Sequence, residues 1–88
     1  MSTLREQFDT AVIESRTLPA KPDPVTLLRM YSLFKQGTAG DNQDEKPGFT
    51  DIVARAKWDA WDKLRGTAPE QAMQDYIDLV KELQESLS

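Results

Sequence analysis

The sequence predicts an all-α fold, a small helical bundle, on three observations. Four segments place apolar residues at helical spacing, each opens on a helix-start signal, and no stretch alternates apolar and polar residues as a strand does. Successive helical residues advance by about 100°, so such spacing collects the apolar side chains on one face, ready to be buried against a neighbour.

The elements follow in chain order. Thr3 with Glu6 reads as a capping box, in which the hydroxyl accepts from the third helical amide while the carboxylate reaches back to the cap's own N–H. Phe8, Ala11, Val12 and Ser15 then fall near one face. LPAKP at 18–22 carries two prolines, and a helix cannot run through it. Asp23 supplies the next cap and Pro24 the first helical position, leading into Leu27, Leu28, Met30, Tyr31 and Phe34. Thr50 or Asp51 opens a third helix whose stripe is Ile52, Val53, Ala56, Ala60, Trp61 and Leu64, with Gly66 as its stop. Thr67 with Glu70 reads as a second capping box ahead of the longest stripe, Met73, Tyr76, Ile77, Val80, Leu83 and Leu87. The link at 65–67 is tight, whereas GTAGDNQDEKPGF at 37–49 is long for antiparallel neighbours. At roughly 3.3 Å per residue it can run back along a whole helix, letting the second and third helices point the same way.

Composition narrows the chemistry. Eighty-eight residues suit one domain with one modest core. With neither cysteine nor histidine there is no disulfide framework, no thiol nucleophile and no usual zinc ligand or neutral-pH proton shuttle. A net charge of −4 opposes general attraction to nucleic acid or to anionic lipid. MSTLREQF has no cationic start followed by an apolar run, and nothing approaches the ~20 apolar residues of a membrane span. The expectation is a soluble cytoplasmic domain with no stable membrane insertion.

The basic residues divide into two groups. On a helix only residues three or four apart meet, and most cations have a carboxylate there: Arg5 has Asp9, Arg55 has Asp51 and Asp59, Lys63 has Asp59, Arg65 has Asp62, and Lys81 has Asp78 and Glu85. Lys35, Lys57, Arg16 and Arg29 have none. Arg29 falls opposite its helix's stripe, while Lys35, Lys57 and Arg16 lie on the shoulders of theirs, beside Tyr31, Trp61 and Val12. Spacing alone fits two readings. Either lysine stems lie along apolar surface with their ammonium groups in water, or the three cations edge a site for an anion.

The run YSLFKQ at 31–36, Gly40 with Asp41, Pro47 with Gly48, AKWDAW at 56–61 and MQDYIDLV at 73–80 together resemble the acyl-CoA-binding protein family, across Phe8 to Leu83. The resemblance implies a four-helix up-down-down-up bundle with the long crossover between helices 2 and 3, forming a single acyl-CoA-binding domain over residues 1–88. It implies a monomeric cytoplasmic carrier and buffer of medium- and long-chain acyl-CoA esters, not an enzyme, with no cofactor and no metal, and with transient contact to acyl-CoA-using enzymes. By matching motif positions, Tyr31, Lys35 and Lys57 correspond to the group receiving the 3'-phosphate of coenzyme A. Phe34 corresponds to a contact of the adenine and Tyr76 to the head-group wall. Phe8, Val12, Leu27 and Leu28 correspond to contacts of the acyl and pantetheine portion, and Arg16 and Lys21 to basic residues near the ligand. Four positions depart from the family pattern, one of them Arg29, which stands at a usually apolar position and which nothing in the sequence explains. Gly37 stands in place of alanine and is expected to end the second helix early, Leu33 in place of an aromatic residue, and Val12 in place of alanine, which is expected to narrow the acyl groove.

Two rivals come from other classes. An enzyme finds no support in a G-x-S-x-G elbow or a P-loop, and DNQDEKPG at 41–48 fails the EF-hand template, which would need glycine at Lys46 and glutamate at Ile52. A helix-in-groove protein interaction module without a lipid ligand is the alternative, and it gives no reason for lysines set beside aromatic rings.

Overall fold

Helix caps decide where the chain turns. In this computed structural model, which describes residues 2–87, the helices are α1 (Leu4–Ser15), α2 (Pro24–Ala39), α3 (Ile52–Asp62) and α4 (Pro69–Leu87), with no strand among the described residues. They form an up-down-down-up bundle. The Thr3–Glu6 box is made in both directions: the Glu6 amide donates to Thr3 Oγ1 and the Thr3 amide to Glu6 Oε1, each at 3.1 Å. Asp23 accepts the Thr26 amide at 3.3 Å with Pro24 behind it, and Asp51, not Thr50, caps α3 by accepting from Ala54 at 3.3 Å. The expected Thr67–Glu70 box does not form. The helix starts at Pro69, and the Thr67 amide, which Glu70 would have to receive, donates to the Leu64 carbonyl at 2.9 Å.

Gly37 does not end α2. The helix continues to Ala39 and stops at Gly40, whose φ of 78° suits a residue without a Cβ. Gly37 is buried where α2 meets α4, and a Cβ there would stand 3.1 Å from Met73 Cγ and 3.5 Å from Phe8 Cζ. Its absence of a side chain lets the two helices approach closely.

The core is built by three of the helices. Phe8 and Ala11 of α1, Met30 and Leu33 of α2, and Ala72, Tyr76, Ile77 and Val80 of α4 form one buried cluster. Along the backbone, α4 lies against α1 and α2, whereas α3 lies against α2 alone. Trp61 is the one buried residue of α3 among those described.

Polar side chains therefore fasten α3 and the crossover. Trp61 Nε1 donates to the Gly40 carbonyl at 2.9 Å, and Trp58 Nε1 to that of Asp44 at 2.8 Å. Asn42, almost wholly buried, donates from Nδ2 to the Trp58 carbonyl at 3.3 Å and accepts the Asp44 amide on Oδ1 at 2.8 Å, while its own carbonyl receives Arg65 Nη2 at 2.8 Å. Gln36, equally enclosed, donates from Nε2 to Asp41 Oδ1 at 2.9 Å and to the Thr67 carbonyl at 2.8 Å. Asp41 Oδ1 also takes the Gly66 amide at 2.9 Å, so one carboxylate ties the end of α2 to the turn before α4.

Two outcomes follow. Gly37→Leu forces α2 from α4 and lowers the urea unfolding free energy by about 1–3 kcal/mol. The Asp41 carboxyl is held below its ordinary value of 3.8 by the Gly66 amide first and the Gln36 amide second, against a smaller opposing push from desolvation and with a still smaller pull from Arg65. Its folded value lies below its unfolded one, so its stabilisation is complete above the unfolded value and fades as pH falls through the folded one. The stability gap between wild type and Asp41→Asn should narrow as urea titrations move from about pH 5 to about pH 2. A gap that stays constant removes Asp41 as a charged clamp.

Candidate functional site

With α2 as its sole helical neighbour, α3 keeps an apolar face uncovered. Pro24, Leu27, Leu28 and Tyr31 on one side and Ile52, Val53, Ala56 and Lys57 on the other line a depression of about 320 Å³. Ile52 and Val53 belong to the helical stripe by spacing, yet they are 76% and 67% exposed, and Val25 and Phe49 are also open to solvent. A periodic stripe reveals which face is apolar and is silent on whether anything packs over it.

Cations stand at both ends of this groove. Tyr31 and Lys57 also line a second recess, of about 190 Å³, with Trp58, Trp61, Asp44 and Glu45. Lys57 Nζ lies 5.4 Å from the centre of the Tyr31 ring, and Lys35 Nζ lies 4.7 Å from that of Trp61. Neither lysine forms a salt bridge among the described residues, in contrast to Lys46, which sits 5.3 Å over Trp58 but also 3.3 Å from Asp59 Oδ1. At the other end Leu27 joins the groove to a depression of about 410 Å³ that includes Arg16 and Lys21. Three recesses thus share lining residues, with Lys57 at one end beside Asp44 and Glu45, Arg16 and Lys21 at the other, and apolar side chains between.

The aromatic residues behind them form a cluster. Phe8 stacks on Phe34 with ring centres 6.0 Å apart and meets Tyr76 edge-on at 5.2 Å, while Phe34 and Tyr76 are 6.4 Å apart. Tyr76 donates its hydroxyl to Ser15 Oγ at 3.1 Å, and Ser15 donates to the Val12 carbonyl at 2.6 Å. Phe8 and Tyr76 are core residues in this state, Val12 and Phe34 are half-buried, and Leu33 is enclosed. The departure at Leu33 thus alters the core and not the groove wall.

The surface pairs behave as the spacing suggests at Arg5–Asp9, 3.2 Å, and Arg65–Asp62, 2.7 Å. Asp59 is taken by Lys46 of the crossover, and Arg55 turns to the Pro47 carbonyl at 3.4 Å. The described residues contain no group of three or more His, Cys, Asp or Glu placed to hold a metal ion. No described helix is long and apolar enough to cross a membrane.

Comparison with known proteins agrees with this geometry. The family model described as acyl CoA binding protein matches residues 5–80. The chain belongs to the acyl-CoA-binding protein family. Among similar members, acyl-CoA-binding protein homolog 1 of Caenorhabditis elegans is 47% identical over 76 residues, 86% of this chain and 88% of that protein. The acyl-CoA-binding protein of Saccharomyces cerevisiae is 46% identical over 83 residues, 94% of this chain and 92% of its own. The crystal structure of Oryza sativa acyl-CoA-binding protein 2 superposes with a TM-score of 0.91 at 38% identity, covering 94% of this chain and 90% of the other.

Against the residues named from the motifs, the structure adds Pro24, Ile52, Val53 and Ala56 to the groove. The long crossover carried a signal for them, since a third helix parallel to the second and linked tightly to the fourth leaves part of its face without a partner. Val53→Gln should therefore change unfolding free energy by no more than about 0.5 kcal/mol, while Leu33→Ala costs about 2–5 kcal/mol in the same urea titration. A Val53→Gln loss as large as that of Leu33→Ala would show the groove to be closed in solution.

Proposed function

We propose that this chain binds medium- and long-chain acyl-CoA esters and buffers and carries them, as a monomeric cytoplasmic domain over residues 1–88 that performs no chemistry on its cargo and needs no cofactor. One observation carries the reading: Lys57, at the end of an uncovered apolar groove, and Lys35, over the Trp61 ring of the adjoining recess, both lie against aromatic rings and outside any salt bridge among the described residues.

The ligand poses two physical problems, and the two parts of the site answer one each. Burying methylenes contributes roughly 0.8 kcal/mol each, so a long acyl chain supplies ~10 kcal/mol before the costs of association. Leu27 and Leu28, with Ile52, Val53 and Ala56, offer the surface for this, and Val12, matched by motif position, is assigned to the same acyl and pantetheine portion. That contribution is the same for a free fatty acid. Discrimination falls to the head group, where each charge-assisted hydrogen bond to phosphate is worth about 1.5–3 kcal/mol. Lys35, Lys57 and the Tyr31 hydroxyl are assigned to the 3'-phosphate and Phe34 to the adenine. Phe8 and Tyr76 back Phe34, while Arg16 and Lys21 face the remaining negative charge. Transient contact with enzymes that make or consume acyl-CoA would then deliver the cargo.

Calorimetric titration with a long-chain acyl-CoA, free CoA and the matching fatty acid should rank them in that order. Lys35→Ala and Lys57→Ala should each weaken acyl-CoA binding by about 1.5–3 kcal/mol, roughly ten- to a hundredfold, with helical circular dichroism unchanged. A protein interaction module would ignore all three ligands, and wild-type affinity in both alanine variants defeats the assignment. Released thiol on prolonged incubation would mark a thioesterase instead of a carrier.

A further inference from the structure

The partners of Lys35 and Lys57 are rings, and the type of partner has a consequence for binding. A carboxylate beside an ammonium fixes it in place but also neutralises it, so an arriving phosphate must displace an anion. An aromatic face attracts the ammonium through its quadrupole and leaves the full positive charge available on the other side. Lys35 Nζ stands 4.7 Å from the Trp61 ring centre. That ring is itself immobilised, being buried and bonded through Nε1–H to the Gly40 carbonyl at 2.9 Å, at the end of the helix that carries Lys35. The contrast lies in the same structure: Lys46, over Trp58, is also matched by the Asp59 carboxylate at 3.3 Å.

We infer that Trp61 is a positioning residue for anion recognition, holding the Lys35 ammonium ready and uncompensated before ligand arrives, with the Tyr31 ring doing the same for Lys57. The inference rests on the reading that these lysines receive the ligand's 3'-phosphate. Its content is separate: Trp61, buried in the wall of the recess that holds Lys57, acts through Lys35. The flexible lysine stem loses less freedom on binding because the ring has already selected its conformation.

The test compares a long-chain acyl-CoA with its 3'-dephospho analogue, for which a purely structural defect would weaken both affinities alike. Wild type should prefer the intact ligand by about a hundredfold or more, roughly the worth of two charge-assisted contacts. Trp61→Phe keeps a ring and should keep most of that preference. Trp61→Leu has lost the ring as well as the N–H, and its preference should fall about five- to tenfold below that of Trp61→Phe. Adding Lys35→Ala to Trp61→Leu should reduce the preference little further, because both changes remove one function. Equal preference in the Phe and Leu variants overturns the inference. Absence of any preference in wild type overturns the phosphate assignment beneath it. Should Trp61→Leu fail to fold, proton NMR of the unliganded wild type decides the point: the Lys35 ε-methylene protons should be shifted upfield by the Trp61 ring relative to those of exposed Lys63. Unshifted Lys35 resonances count against the inference as firmly as the binding result would.

Discussion

The site depends on α3 having a single helical neighbour. A helix set between two others hides its apolar stripe; one set against α2 alone presents part of it to water. Exposure of Ile52 and Val53 is unfavourable for the free chain, and the arrangement persists because other contacts hold α3 in place. Those contacts are largely hydrogen bonds from Trp58, Trp61, Asn42 and Arg65 to carbonyls of the crossover and of α3 itself. Buried polar groups are costly when unpaired and geometrically demanding when paired, and this makes them suited to fixing a helix that the apolar core does not reach.

Much of this architecture was legible because it is local. Capping at Thr3, Asp23 and Asp51 is written in adjacent residues, and each helix starts where its cap places it. The pattern failed where another contact intervened. Thr67 has the right neighbour at Glu70, but its amide closes the preceding turn on the Leu64 carbonyl at 2.9 Å, and the helix begins at Pro69. Gly37 has low helix propensity, yet close packing against α4 gives it a use inside α2, and Gly40 makes the turn. For the candidate site, spacing exposed Lys35 and Lys57 as cations lacking a local carboxylate. It set each beside a ring of its own helix, Lys35 beside Tyr31 and Lys57 beside Trp61, whereas in the structure the pairs cross between helices: Lys35 of α2 lies over Trp61 of α3, and Lys57 of α3 over Tyr31 of α2. It was blind to the openness of the groove, which is a property of helix arrangement and not of any one segment.

Charge distribution reconciles an acidic chain with an anionic cargo. The net charge of −4 acts at long range, where salt screens it over about 8–10 Å. Binding is decided inside that distance, by which groups line the recess. Asp44 and Glu45 flank the same hollow as Lys57. Their presence opposes non-specific anions while leaving a ligand with several separated contacts able to outweigh the repulsion, which favours a large, multiply bonded head group over small ions.

Stability and recognition are consequently drawn from different residues. The packed cluster of α1, α2 and α4 supplies the core, and the polar fastenings of the crossover place α3. The groove-facing side chains of α3 contribute little to either, so Ile52 and Val53 are free to change shape and size without unfolding the protein. Leu33, by contrast, is enclosed among core residues, and Val12 is half-buried against them from α1. The depression between α2 and α3 is instead bounded by Leu28, Ile52, Val53 and Ala56, side chains outside the buried core cluster. The cationic ends are less free. Each ammonium is useful only while the ring that orients it stays fixed, and Trp61 is fixed by the same hydrogen bond that joins α3 to the end of α2.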